Sequence, residues 1–80
     1  MSNKNSIVMT KDYGSVFVCL KDIMDKKGIS RNTLARNVNV RFEVIDRWYS
    51  GALEKIDLDI LARVCYVLEC DISDVLKYNR

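Results

Sequence analysis

Basic side chains are concentrated in one stretch of this 80-residue chain. Five of them lie between positions 26 and 41 with no acid among them: Lys26, Lys27, Arg31, Arg36 and Arg41. Positions 57–74 instead hold five acids against one base, Arg63, so the two ends of the protein should carry opposite charge. The basic end would attract a phosphate backbone. The alternative is an ordinary solvated surface, since the formal net charge is only +2.

The residue types needed for catalysis do not form a recognisable set. The chain has no histidine and three cysteines, Cys19, Cys65 and Cys70. Neither a zinc set completed by histidine nor a Cys–His pair can therefore form, and no glycine-rich phosphate loop occurs. We expect no enzymatic activity, no cofactor and no metal. Cys19 and Cys65 are predicted to be small apolar core residues, with Cys70 near a helix end. A redox switch is the alternative, but no pattern points to it.

Length and hydropathy favour a single domain that does not enter a membrane. Eighty residues suffice for one domain at most. The longest apolar run, residues 16–20, is too short to span a bilayer. The first residues also lack the features of a secretion signal. We therefore expect a cytoplasmic protein without a membrane role.

Two short helices should meet at a steep angle in the middle of the chain. Residues three or four apart share one helical face, and the segment 31–38 and the one after it each show such an apolar set. The two sets are Leu34, Ala35 and Val38, then Val40, Ile45 and Trp48. Ala35 matters most, because a second helix axis approaches closely only where the first lacks a bulky side chain. We expect Ala35 to lie beneath Ile45 and Trp48.

The chain must reverse between these helices, and the residue types fit that need. Asn39 lies at the turn, where a left-handed backbone is favoured and asparagine ranks after glycine. Gly51 is placed to end the second of the two helices, which we predict over about 42–50.

Helical signals also flank this pair. A first helix is predicted over about 20–27, ended by Gly28, while Ser30, Asp57 and Asp71 are candidate N-caps for the second, fourth and fifth helices. The predicted core residues of the last two helices are Leu58, Leu61, Val64, Cys65 and Leu68, then Ile72, Val75 and Leu76. Residues 16–19 are rich in β-formers and could pair with 76–78. We assign residues 1–15 to a partly ordered tail and residues 16–80 to the domain.

The central pattern resembles the helix-turn-helix of Cro and phage-repressor (Xre-type) DNA-binding proteins. The resemblance consists of Ala35, a turn residue four later, Val40 after it, Ile45 six past the turn and Trp48 three beyond. It extends over about residues 20–78, since LKDIMDKKGIS resembles the first helix of that family and IDLDILARVCYVLECDISDVLKY its fourth and fifth. Two departures stand out. Asn39 replaces the usual glycine, and Arg41 replaces the serine or threonine that normally caps the recognition helix.

This resemblance implies an all-α, compact five-helix lambda-repressor-like domain, to which a short pair of terminal strands would be added. In that family the outer face of the third helix enters the major groove, which makes Phe42, Glu43, Asp46 and Arg47 the candidate base-contacting residues. Their chemistry fits, because arginine can fork onto guanine and glutamate can accept from cytosine. For Asp46, an internal salt bridge is an equal alternative.

Phosphate contacts are a separate question, since they position a protein without reading sequence. Arg31 lies at the start of the second helix, where exposed amides and a cation together suit an anion. Ser50 and Lys55 resemble the family's loop contacts. Arg41 could replace the missing cap with a direct phosphate contact. Each of the four could instead be a solvated side chain.

The sequence thus predicts a sequence-specific regulator that binds double-stranded DNA. The family resemblance implies a homodimer, formed through N-terminal apolar residues, the last helix or the DNA itself. The alternative is a protein-interaction module of antitoxin or anti-repressor type. It is favoured by the acidic and aromatic residues of the third helix, namely Phe42, Glu43, Asp46 and Tyr49.

Overall fold

Five helices lie between two short strands in residues 13–80, the part of the chain that the computed structural model describes. In chain order the elements are β1 (Ser15–Val18), α1 (Leu20–Lys27), α2 (Arg31–Val38), α3 (Phe42–Ser50), α4 (Leu58–Leu68), α5 (Ile72–Val75) and β2 (Leu76–Asn79). The predicted five-helix fold with a terminal strand pair is confirmed. The tail predicted for residues 1–15 lies mostly outside the described residues.

Local capping explains where three of the five helices begin. Ser30 Oγ accepts from the Thr33 amide at 3.1 Å, and Asp57 Oδ1 accepts from the Asp59 amide at 2.9 Å. Asp71 forms a capping box, in which the Asp74 carboxylate accepts from the Asp71 amide at 3.0 Å. These three predicted N-caps are confirmed. Ser30 and Asp57 each satisfy an amide that the first helical turn leaves without a partner.

One apolar core joins all five helices. Its buried members are Leu20, Met24, Leu34, Ala35, Val38, Ile45, Trp48, Leu61, Val64, Leu68 and Val75. The helix α2 packs against both α3 and α4, while α1 packs against α3. The central two-helix unit is therefore supported from both sides.

For two residues, the prediction that they lie in the core is wrong. Leu58 is 73% exposed and Ile72 is 58% exposed. Each is the first residue of its helix, directly after the N-cap, so the helix begins before its buried stripe does. The four-residue α5 buries Val75 alone, since a single turn has room for one inward position. Leu76, also predicted for the last helix, is half-buried in β2 instead.

The strands pair as the sequence suggested. β1 and β2 are antiparallel, with Val16 opposite Tyr78 and Val18 opposite Leu76. The amide of Cys19 donates to the Val75 carbonyl at 2.6 Å, which ties the start of α1 to the end of α5. Within residues 13–80, no helix combines the length and the apolar character needed to traverse a bilayer.

The three cysteines are partly buried and free. Cys65 and Cys70 flank the end of α4, where the Cys70 amide donates to the Cys65 carbonyl at 3.1 Å. Burial, and secondly the neighbouring Cys65 thiol, raises the pKa of Cys70 to about 11. Cys70 lies just after the end of α4, as predicted, and a thiol with so high a pKa is mostly protonated and unreactive at neutral pH.

Candidate nucleic-acid interface

A tight turn fixes α3 against α2. Asn39 has a left-handed backbone with φ 60°, and the amide of Val40 donates to the Ala35 carbonyl at 3.0 Å. Ala35 is 4% exposed, while Ile45 and Trp48 are 0% and 3% exposed. The small residue, the reversal and the apolar pair therefore meet in the core as the spacing predicted.

An arginine of α4 completes this turn. Arg63 Nη1 donates to the carbonyl of Val38 at 3.0 Å, and Arg63 Nη2 pairs with Asp59 at 2.7 Å. A cation at the Val38 carbonyl satisfies an acceptor at the end of α2, and it complements the helix dipole. The sequence reasoning missed this contact. The four-residue spacing of Asp59 and Arg63 could have indicated their ion pair, but not the bond to α2.

Burying Ile45 and Trp48 turns the opposite side of α3 outward. Glu43 and Arg47 are exposed, and Phe42 is 38% exposed at the leading end of the helix. Glu43 lies in the first turn, where a negative charge also stabilises the helix dipole. Donors, acceptors and apolar surface are therefore available together on one helical face.

The start of α3 lacks a side-chain cap. Arg41 occupies the N-cap position with an extended backbone, and its side chain accepts no hydrogen bond from the helix. The arginine side chain contains only donors, so it cannot serve the exposed amides of the first turn. The doubt that the sequence raised about this cap is confirmed, and a cation lies beside amides that suit an anion.

Arg31, the first residue of α2, is held against α3 by three contacts. Its Nη1 donates to Asp46 Oδ1 at 2.6 Å. Its guanidinium carbon lies 4.8 Å from the centre of the Tyr49 ring and 5.6 Å from that of Phe42. Cation–π contacts of this length are attractive. Arg31 is therefore positioned by α3 and remains partly exposed.

The same tyrosine connects α3 to α1. Its hydroxyl donates to Asp25 Oδ1 at 3.1 Å, and Lys21 Nζ donates to Asp25 Oδ2 at 2.8 Å. Lys21 Nζ also lies 5.7 Å from the centre of the Tyr49 ring. The hydrogen bond between Lys21 and Asp25 lowers the pKa of Asp25 and raises that of Lys21, so both groups stay charged near neutral pH.

We call these contacts the Tyr49 cluster, which consists of Lys21, Asp25, Arg31, Phe42, Asp46 and Tyr49. Sequence reasoning placed Arg31, Phe42 and Asp46 in the candidate site, and it named Tyr49 only for the alternative protein-interaction face. It missed Lys21 and Asp25 as parts of this surface. The four-residue spacing of Lys21 and Asp25 was the available signal.

Comparison with known proteins identifies the fold that builds this surface. The model of the Cro/C1-type HTH DNA-binding domain matches residues 19–80, which is most of the chain. The chain belongs to this family. The solved structures that match it include one of a proposed DNA-binding protein from Bacteroides fragilis, at 22% identity and a TM-score of 0.71. The match covers 79% of this chain and 100% of that one. Among curated protein sequences, none matches this chain.

Within this Cro/C1-type domain, the predicted base-contacting residues share one helix but differ in their contacts. Phe42, Glu43 and Arg47 are exposed on α3. Asp46 is only partly exposed and is engaged by Arg31. The salt bridge that the sequence left open for Asp46 is therefore present in the structure.

The predicted phosphate-contacting residues surround α3. Arg31 precedes it on α2, Arg41 is its N-cap residue and Ser50 is its last residue. The hydroxyl of Ser50 donates to the Arg47 carbonyl at 3.0 Å, so a phosphate would compete for that proton. Lys55 is exposed in the segment between α3 and α4. Among the described residues, no three histidine, cysteine or acidic side chains are grouped as metal ligands.

Proposed function

We propose that this protein is a sequence-specific transcriptional regulator that binds double-stranded DNA with α3 in the major groove. One observation supports it most strongly. The inner side of α3 is locked into the core by Ile45 and Trp48, while its outer side presents Phe42, Glu43 and Arg47. A helix so held can enter a groove without rearranging the domain.

Each exposed residue of α3 has a definite part in this proposal. Arg47 forks onto guanine O6 and N7, Glu43 accepts from a cytosine amino group, and Phe42 contacts a thymine methyl. The arginines at positions 31 and 41, together with Ser50 and Lys55, contact phosphates and set the register of the domain. The proposed role is binding rather than catalysis, carried out in the cytoplasm.

The proposed assembly on DNA is a homodimer. Helix-turn-helix domains in dimers reach two half-sites about one helical turn apart, so the operator would be close to palindromic. The spacing of half-sites recovered from a random library tests this assembly directly.

Fluorescence anisotropy with random duplex DNA at several salt concentrations tests DNA binding itself. We expect affinity to fall steeply with salt, with a slope of about 0.9 for each phosphate neutralised. Selection from a randomised duplex library then tests sequence specificity. An absence of binding at low salt would contradict the proposal.

A second candidate, a protein-interaction module, is favoured by the charge balance of the Tyr49 cluster. Its two cations each carry a carboxylate partner, which weakens its attraction for DNA. The aromatic and acidic side chains of α3 would then contact a protein. The low-salt measurement separates the two candidates, because only the first predicts binding to random duplex.

A further inference from the structure

The Tyr49 ring lies next to two cations that are each neutralised from within the protein. Lys21 pairs with Asp25 at 2.8 Å, and Arg31 pairs with Asp46 at 2.6 Å. The four charges sum to zero. A surface that must attract phosphates thus contains two internal carboxylates close to its cations.

Asp46 is the carboxylate nearest the proposed phosphate site. Arg31 and Asp46 are both about half exposed, with side chains 45% and 46% accessible. Their hydrogen bond joins one Nη to one Oδ, so the guanidinium is not held in a two-bond fork. A phosphate oxygen can therefore replace the carboxylate without a change in the packing of either helix.

Two roles for Asp46 are conceivable, and they predict opposite effects. If Asp46 orients Arg31, its removal should weaken DNA binding. If Asp46 competes with phosphate, its removal should strengthen binding. The two aromatic rings decide between them, because they lie 4.8 and 5.6 Å from the guanidinium carbon and would still contact it after the carboxylate is removed. Removing the charge therefore costs little orientation and relieves repulsion of a phosphate.

We infer that Asp46 is an internal competitor for the phosphate that Arg31 binds, and that it sets the affinity and salt dependence of the domain. This inference rests on the proposed DNA-binding function. When Arg31 transfers to a phosphate, Asp46 is left unpaired and takes up a cation from solution. That uptake offsets one of the counterions that DNA releases, so the salt slope is smaller than the number of phosphate contacts implies.

The chain offers a matched control in the ion pair of α4. Asp59 pairs with Arg63 at 2.7 Å, also through a single contact on the surface. Asp59→Asn changes the net charge by the same amount as Asp46→Asn. In Asp59→Asn the bond from Arg63 to the Val38 carbonyl is retained, so the turn before α3 stays in place. The change at Asp59 should therefore act on DNA through the general field, which salt screens.

Binding of the full chain to random duplex DNA, measured by anisotropy over a range of salt, tests the inference. Asp46→Asn should bind about two- to fivefold more tightly than wild type, because a gain of that size corresponds to the interaction energy of an exposed ion pair. Its salt slope should be steeper by up to about 0.9. Asp59→Asn should stay within about 1.5-fold of wild type. Asp46→Ser should behave as Asp46→Asn does, and thermal melting checks that each variant is folded.

A double-mutant cycle shows whether the effect passes through Arg31. In an Arg31→Gln background, Asp46→Asn should give no more gain than Asp59→Asn gives. The inference is overturned if Asp46→Asn binds no more tightly than Asp59→Asn, or if its gain persists without Arg31. If neither wild type nor Asp46→Asn binds random duplex, the proposed function fails as well. Binding by wild type without a gain from Asp46→Asn would overturn this inference alone.

Discussion

The outer sides of α3 and α4 contain similar residues but connect them differently. Each has an exposed aromatic ring and an aspartate paired with an arginine. On α4 the Asp59–Arg63 pair lies within one helix, and Tyr66 is 83% exposed. On α3 Asp46 pairs with Arg31 of α2, and Phe42 is 38% exposed beside the same arginine. The candidate binding surface therefore differs from an ordinary helical surface in that its side chains contact another helix, and not in the residue types that it contains.

Replacing an aromatic residue with alanine should destabilise the protein far more on the inner side of α3 than on the outer side of α4. This is the largest difference that we expect between the two helices. Trp48→Ala removes a ring that is 3% exposed, and should lower the free energy of unfolding by about 3–5 kcal/mol. Urea denaturation measures the change. Tyr66→Ala, the matched control on α4, should stay within about 0.5 kcal/mol of wild type. Equal losses at both positions would mean that α3 is not anchored by the tryptophan.

Removing one arginine should reveal which helix reads bases. Arg47→Ala should lose discrimination at one base pair of a selected site, by about 1–3 kcal/mol. Competition binding with singly substituted duplexes measures this loss. Arg36→Ala removes the same charge from the exposed surface of α2 and should leave the base preference intact. An unchanged preference in Arg47→Ala would show that this residue does not contact a base.

Arg63 of α4 should contribute to the stability of the domain rather than to DNA binding. Arg63→Met removes the donor to the Val38 carbonyl, and should cost about 1–2 kcal/mol of unfolding free energy. Asp59→Asn breaks the ion pair between Asp59 and Arg63 but keeps the bond from Arg63 to α2. It should therefore lower the free energy of unfolding by less than about 0.5 kcal/mol. If the two variants lose equal stability, the ion pair and not the bond to α2 is the stabilising contact.

The sequence predicted the elements better than their side-chain contacts, because helix ends are set by neighbours along the chain. Ser30, Asn39 and Asp57 each act within a few residues of themselves, and each prediction is confirmed. The core prediction for Leu58 failed because periodicity gives the buried face of a helix but not where along the helix burial begins.

The contacts of the candidate site join residues that are distant in sequence. Arg31 and Asp46 are 15 positions apart, while Tyr49 and Asp25 are 24 apart. Such pairs depend on the crossing angles and axial offsets of three helices, which no local pattern contains. The sequence could therefore name Arg31 and Asp46 as candidates without showing that they engage each other.

The smallest expected effect concerns the cation–π contact of Phe42. Phe42→Leu keeps an apolar side chain at the start of α3 but removes the ring that lies 5.6 Å from the Arg31 guanidinium. At an exposed position such a contact contributes about 0.5 kcal/mol, so the unfolding free energy should fall by about that amount. Tyr66→Leu replaces a ring on α4 and should have no measurable effect on stability.

Because Tyr49 still holds Arg31, Phe42→Leu should also leave the salt slope of DNA binding unchanged. A slope reduced by about one unit would instead mean that both rings are needed to present Arg31 to a phosphate.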